Sequence, residues 1–431
     1  MDDAPAPTRL HHHARHTVLR LLGPGLVAGA ADDDPSGIAT YSQAGAQFGY
    51  GMLWTVVLTY PFMVAIQVVG ARIGRTTGAG IIANVQTVFP RWVVVWLVFL
   101  LLAANTINIA ADLAAMGAAL KLVIGGHAAL YALALGVACA AFEVLIPYRR
   151  YAPLLKGLTM VLFVYVATVL SVHVPWSDAL LGALLPRPTL DPDYIVMVVA
   201  IFGTTISASV FFWQASEEVE NLHLARHGRP LRDSARRARP TLRRIGIDTA
   251  VGMGFSIAIA ACIMVTTAAT LNTSGVTTIT TSAEAAEALR PLAGDFAFYL
   301  FAAGIVGTGL LAVPVLAGSA AYAVAEAFQW RSSLEDAPRD ARGFYAIVAG
   351  STLIGAIIAL SPLDPIRMLF WTAVINGIVA VPVMAVMMTL VGSTKVMGPV
   401  SAGLPLRLLG WAATGVMGFV VLALLANWAL T

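Results

Sequence analysis

Asp32-Asp33-Asp34-Pro35-Ser36-Gly37 sets three consecutive carboxylates, a proline and a glycine inside the first apolar segment of a chain in which only 11% of residues are charged. Carboxylate oxygens at membrane depth suit one task above others, the holding of a hard cation. The break frees backbone groups that lipid cannot satisfy, so it must be buried in protein or line a wet cavity. Asp34 is placed either to bind the ion or to cap the helix that follows, and one carboxylate can do both. Asp32 and Asp33 either hold waters around a hydrated ion or sit in an aqueous vestibule. A second interruption, Thr204-Thr205-Ile206-Ser207-Ala208-Ser209, lies in the sixth apolar segment. Ser207 reads as facing a cavity, whereas Thr205 and Ser209 read as bonding back to helix carbonyls. Glu217, Glu218 and Glu220 close that segment and read as an inner gate or loop anchor, with Arg149, Arg150 or the basic loop as partners.

The elements that must position these groups are membrane helices. Over 431 residues, 58% are hydrophobic, and the mean hydropathy is +0.81, more apolar surface than a soluble core can hide. Spans of about 20 residues fall near 22–47, 52–71, 93–122, 127–147, 152–173, 193–216, 248–271, 296–327, 343–362, 366–393 and 403–429. This predicts an all-α polytopic membrane protein of about 11 transmembrane helices. With the N-terminus in the cytoplasm, all but Lys121, Arg187, Arg290 and Arg367 of the 26 basic residues fall on the inner side, as retention of positive charge requires. The C-terminus then faces outside. A bacterial inner membrane is the expected location.

Breaks in the first and sixth spans, five spans apart, predict two five-helix repeats. An odd repeat length inverts the second half, which places the substrate at the midplane between the broken helices. The expected division is a cytoplasmic tail at 1–21, a first repeat at 22–173, a second at 193–393 and an additional helix at 403–431.

Other signals point away from competing functions. The eight arginines from Arg226 to Arg244 lack interleaved aromatics and sit between spans, so they read as a topology determinant touching anionic lipid, not a nucleic-acid patch. Cys139 and Cys262 lie within apolar spans and indicate neither a disulfide framework nor a thiolate site. His11, His12, His13 and His16 read as a solvated tail. The outer loop from Thr273 to Ser282 reads as a solvated connection leading to a short helix. No cleavable signal peptide, phosphate-cradling loop or nucleophile–base pair is present, so no enzyme and no cofactor are expected.

The stretch Asp34-Pro35-Ser36-Gly37-Ile38-Ala39-Thr40-Tyr41-Ser42-Gln43-Ala44-Gly45-Ala46 resembles the first helix of the NRAMP family of divalent-metal transporters, with its Asp-Pro-Gly-Asn motif and Gln-Ala-Gly-Ala-type run. Asn108-Ile109-Ala110-Ala111-Asp112-Leu113-Ala114-Ala115 looks like the family's third-helix segment. The resemblance runs from about residue 20 to 393 and implies a LeuT-type fold and inward movement of divalent cations. Carried over residue by residue, it places the metal-binding aspartate at Asp34, the asparagine at Gly37, carbonyl donors at Ala31 and Thr204, and the methionine at Ser207. A polar residue facing the metal falls near Asn376, which a buried amide bridging two helices explains almost as well.

The departures decide the expected ion. With the thioether replaced by a hydroxyl, the remaining donors suit Mg²⁺, Ca²⁺ or Mn²⁺. Loss of the asparagine side chain predicts a roomier site, fitting Mg²⁺, which keeps its waters, and resembling the NRAMP-related magnesium transporters. The family's proton-relay histidine and two glutamates become Ser209, Asn108 and Ala115, which leaves Asp112 alone and predicts weak or absent proton coupling. Membrane potential alone then suffices: two charges gain about 4.6 kcal/mol per 100 mV, or about three decades of concentration. The expected function is import of Mg²⁺, or Mn²⁺, by alternating access. A proton-coupled Mn²⁺/Fe²⁺ symporter is the alternative, and a membrane metal sensor without turnover is the alternative from another class. Oligomeric state is unknown from sequence, a monomer being adequate.

Overall fold

The computed structural model describes residues 28–29, 32–146, 157, 159–224, 229–233, 235–334 and 337–430; side chains of 235–237 and 430 are outside the description. Ala31, Arg149, Arg150 and the histidine cluster are therefore outside it as well. Among the described residues the architecture is all-α. Single turns aside, the helices are α1 (Pro35–Phe48), α2 (Leu53–Thr77), α3 (Ile81–Val85), α4 (Arg91–Ile124), α5 (Ala128–Leu145), α6 (Phe163–Ser171), α7 (Trp176–Leu184), α8 (Pro192–Thr205), α9 (Ala208–Leu224), α10 (Ala235–Thr267), α11 (Ser282–Glu287), α12 (Ala297–Phe328), α13 (Arg342–Ile358), α14 (Pro365–Gly392) and α15 (Leu404–Leu430).

One local device starts three of these helices. Asp34-Pro35, Asp191-Pro192 and Asp364-Pro365 each put a carboxylate at the N-cap and a proline in the first turn. The carboxylate accepts backbone N–H groups that have no helical partner, and proline, lacking an N–H, leaves none unsatisfied there. Asp364 takes two such bonds, from Ile366 and Arg367.

Eight described helical segments are long and apolar enough to cross a membrane. One of them, Pro35–Thr77, contains the second half of the first span and the whole second span, joined by a turn at Gly49–Met52. Of the expected fifth span, the described part comprises Thr159–Leu162 and α6, which lead into α7 with a bend of 120°. Together with the 17-residue α13, these elements match the expected span order. The seventh span differs more, since α10 begins at Ala235 rather than near 248. Alanine and arginine favour helix, so the end of the basic stretch extends the helix at its N-terminal end instead of forming a loop.

The faces turned away from the core carry Trp92, Trp96, Phe99, Phe419 and Leu422, all exposed, as lipid-facing positions require. Inside, α4 packs against α12, α13, α14 and α5, while α1 is enclosed by α10, α14, α8 and α4. The 273–282 connection is pinned to α1: Gln43 donates to the Thr277 carbonyl and accepts from the Ile279 N–H, and Asn272 donates to the Ala46 carbonyl. The expected connection, largely exposed and leading to the short α11, is thus also a strap. At its end, N–H bonds from Thr280 and Thr281 and the Thr280 hydroxyl hold the Glu284 carboxyl below the usual carboxylate range.

Helices α8 and α14 meet at Gly203, where a Cβ would come 2.0 Å from the Ala373 carbonyl oxygen and 2.4 Å from the Gly377 nitrogen. Neither atom can rotate away. Gly203→Ala is therefore expected to cost about 1–3 kcal/mol by overpacking, read as a lower melting temperature in detergent. Gly350→Ala, at a helical position where a Cβ meets nothing within 4 Å, is expected to leave melting unchanged or raise it. Equal melting of both variants would refute the close approach.

Candidate functional site

The break preceding α1 delivers Asp34 to the middle of the helix assembly. Its Oδ1 accepts the Gly37 N–H at 2.8 Å and the Ser36 hydroxyl at 2.6 Å, and its Oδ2 accepts the Asn108 amide at 3.1 Å. The side chain caps α1 and is nevertheless one wall of a cavity. Asp32, Ser36, Thr204, Ser207, Ser209 and Asn376 line the same space.

The sixth span is broken as expected. Helix α8 ends at Thr205, where Ile206 departs from helical geometry, and α9 starts at Ala208, so the interruption is Ile206–Ser207. It faces the Asp34 break. Ser36 and Thr204 hydroxyls lie 3.3 Å apart across the gap. Ser207 and Ser209 hydroxyls bond each other at 2.6 Å, which corrects the reading of Ser209 as bonded back to a carbonyl. Thr205 does bond back, to Ile201, and its hydroxyl also meets that of Tyr41 at 2.9 Å.

The structure does not bring every expected residue to this space. Ala31 lies outside the described residues. Gly37 contributes its N–H to Asp34 and does not line the cavity. Asp33 is also absent from the lining; its Oδ1 accepts from Ser256 on α10 at 3.0 Å, and the same hydroxyl lies 3.2 Å from Asp32 Oδ2. Both aspartates are buried, so neither sits in an open vestibule. Asp112 is fully buried one turn beyond Asn108, outside the lining, and neither of its oxygens has a hydrogen-bond partner among the described residues.

Nor is the site roomy. The cavity measures about 10 Å³, space for roughly one water-sized sphere. The reason is at Gly37: a Cβ there would already stand 3.3 Å from both Thr204 Oγ1 and the Tyr41 ring. Neighbouring groups have closed over the volume an asparagine would fill. Among the described residues no three His, Cys, Asp or Glu side chains form a metal-binding group. The arrangement offers one capping carboxylate, a second carboxylate from Asp32, hydroxyls and one amide, all oxygen donors to a cation.

At the end of α2 and α9, Glu218 is buried with its carboxylate 3.9 Å from Arg75. Glu220 accepts the Tyr322 hydroxyl and the Leu334 N–H. The described carboxylate contacts thus fall on Arg75, Tyr322 and a backbone N–H. A cavity of about 830 Å³ opens here, bounded by Glu220, His223, Tyr322, Glu326 and Trp330. Glu217, beside Glu218 on α9, is half-buried.

Sequence reasoning missed two positioning residues. Asn108 stood out only as a lost glutamate, yet it holds Asp34. Ser256 carries no sequence signal, since a lone serine in an apolar span is common, and only the packing of α10 on the first break shows its place.

The family described as natural resistance-associated macrophage protein-like, Nramp, matches residues 25–427. The divalent metal cation transporter MntH of Klebsiella pneumoniae strain 342 is 32% identical over 304 residues, covering 69% of this chain and 70% of that protein. MntH of K. pneumoniae subsp. pneumoniae strain ATCC 700721 / MGH 78578 is 29% identical over 411 residues, or 94% and 93% of the two. The solved manganese transporter of Eremococcus coleocola has a TM-score of 0.75 at 15% identity, covering 96% of this chain and 88% of that one. MhsT with bound L-phenylalanine gives 0.61 at 12% identity, covering 93% and 97%. These likenesses show an all-α, LeuT-type fold. The chain belongs to the Nramp family and is an integral membrane transporter, not an enzyme.

Proposed function

We propose that this Nramp-type divalent-metal transporter imports hard divalent cations, Mg²⁺ ahead of Mn²⁺, by alternating access around Asp34 and the broken sixth span, with weak or no proton coupling. The observation that carries this reading is the cavity between the two breaks, whose polar lining from Asp34, Asp32, Ser36, Thr204, Ser207, Ser209 and Asn376 presents oxygen and no sulfur. Such a set suits Mg²⁺ and Mn²⁺ over softer metals. Mn²⁺ also fits the solved relative, which is a manganese transporter. Thr204 is proposed to present its carbonyl, and Ser207 its hydroxyl, to the ion that Asp34 holds, with Ala31 adding a carbonyl in the outward state.

The closed cavity takes a single small sphere, so an ion retaining waters enters only when the broken helices part. That separation is the step alternating access supplies. We place the N-terminus and the Arg75 end in the cytoplasm and the C-terminus outside. The two repeats, 22–173 and 193–393, move around the site, and Glu217, Glu218 and Glu220 lie at the inner gate. Asp112, lacking a titratable chain of neighbours on its helix, does not pass protons efficiently.

The direct test is uptake into proteoliposomes under an inside-negative potential with an internal pH dye. Saturable Mg²⁺ and Mn²⁺ entry without acidification is expected, reduced at least tenfold in Asp34→Ala. Manganese entry with acidification and no Mg²⁺ flux would restore the proton-coupled symporter. Binding without any flux would favour the sensor.

Two substitutions probe the surroundings. Gly37→Asn must push Thr204 or Tyr41 back by a few tenths of an ångström, so a stability loss of about 1–2 kcal/mol is expected, recovered in part by Thr204→Ala; additivity of the two changes would argue against the contact. For the gate, Glu218→Arg is expected to abolish uptake, and Arg75→Glu in the same chain to restore a measurable fraction. Failure of the double variant, when it is folded, would remove the pair from the gating account.

A further inference from the structure

The carboxylates of Asp32 and Asp33 converge on one Ser256 hydroxyl, at 3.2 and 3.0 Å. A hydroxyl has a single proton and two lone pairs, so it satisfies one carboxylate and turns lone-pair density toward the other. Asp33 is 1% exposed and Asp32 4%. Asp33 Oδ2 is buried and has no hydrogen-bond partner among the described residues, an arrangement that native interiors rarely leave unanswered. The described ion pairs involve Arg75, Arg232 and Arg290, and none of them reaches these aspartates. Among the described residues, the cluster therefore consists of acceptors, with the Ser256 hydroxyl as the side-chain donor and no ion pair to offset two carboxylates.

Its position sets it apart from the Asp34 cavity without isolating it. Asp34 has both oxygens engaged by Ser36, Gly37 and Asn108. Asp32 lines the cavity with Asp34, whereas Asp33 and Ser256 do not. Asp32 thus stands between the Asp34 space and the unpartnered oxygen of Asp33, with α10 supplying the hydroxyl.

We propose that Asp32, Asp33 and Ser256 form a second station for a hard divalent cation, adjoining the Asp34 site and bounded by α10. The chemistry matches: two carboxylates and a neutral hydroxyl are oxygen donors of the kind Mg²⁺ and Mn²⁺ take, with waters completing the shell. An ion leaving the Asp34 cavity by way of Asp32 would meet the Asp33 carboxylate next, so it would pass between oxygen donors. Ser256 is the positioning residue, since its bonds hold both side chains against the same helix. The inference goes beyond the Asp34 reading and does not need it to be correct.

The test is equilibrium binding of radioactive Mn²⁺ to the full chain in nanodiscs, with melting temperature as the check on folding. Two ions per chain are expected in the unaltered protein. Asp33→Asn is expected to leave one ion, as is Asp34→Ala, and the double variant none. Ser256→Ala, which removes only a hydroxyl, is expected to weaken one of the two ions about tenfold and decides the matter if Asp33→Asn fails to fold. One ion in the unaltered protein, lost in Asp34→Ala and kept in Asp33→Asn and Ser256→Ala, would overturn the station and leave the Asp34 reading standing; a proton then fills the place assigned to the metal. Loss of an ion in Asp33→Asn with none lost in Asp34→Ala would support the station and sink the Asp34 reading.

Discussion

A helix interrupted inside a membrane exposes N–H and carbonyl groups that the hydrocarbon cannot bond, and the closure of that exposure at Asp34 is the constraint on which the site depends. The carboxylate takes the Gly37 N–H and the Ser36 hydroxyl, which anchors the start of α1. Its other oxygen is held from α4 by Asn108. The break is therefore fixed at both its own helix and its neighbour. The same Asp-Pro device begins α8 and α14, but there Asp191 is exposed and Asp364 half-buried. Of the three, Asp34 is the cap that is buried among facing hydroxyls, and that burial is what the proposed cation site rests on.

Capping and ion binding draw on the same oxygens. Hydrogen bonds to a charged group are worth about 1.5–3 kcal/mol each, so an incoming cation that displaces the Ser36 hydroxyl or the Asn108 amide must exceed that loss. It need not displace the Gly37 N–H, which is fixed by the helix. An ion can take the outer lone pairs of Asp34 while the backbone cap persists, and release of the ion restores the side-chain donors. At the proposed site, binding and release would in this way be coupled to how tightly α1 is tied to α4.

The spans and both breaks were legible because membrane thickness and backbone satisfaction leave so few solutions: about 20 apolar residues per crossing, and polar runs only where protein buries them. The N-terminal extension of α10 was not, because a run of charge by itself does not distinguish a loop from a helix, and arginine and alanine are good helix formers. The expected roominess failed for a different reason. Counting lost side chains treats their volume as left behind, whereas packed interiors close over it; Thr204 and Tyr41 stand 3.3 Å from where a Cβ at Gly37 would be. Ser256 and Asn108 act through contacts between segments far apart in the chain, at separations of 223 and 74 residues, which no local pattern encodes.

The two ends of the assembly are secured by different chemistry. At the proposed outer end, Gln43 and Asn272 tie the strap to α1 through amide-to-backbone hydrogen bonds, neutral contacts that offer little hold to a passing cation. At the other end, the contacts are carboxylates with Arg75, Tyr322 and the Leu334 N–H, beside a wide cavity. A cation brought to these carboxylates would compete for them with Arg75 and the Tyr322 hydroxyl. This asymmetry arises from where the chain places its few charged groups.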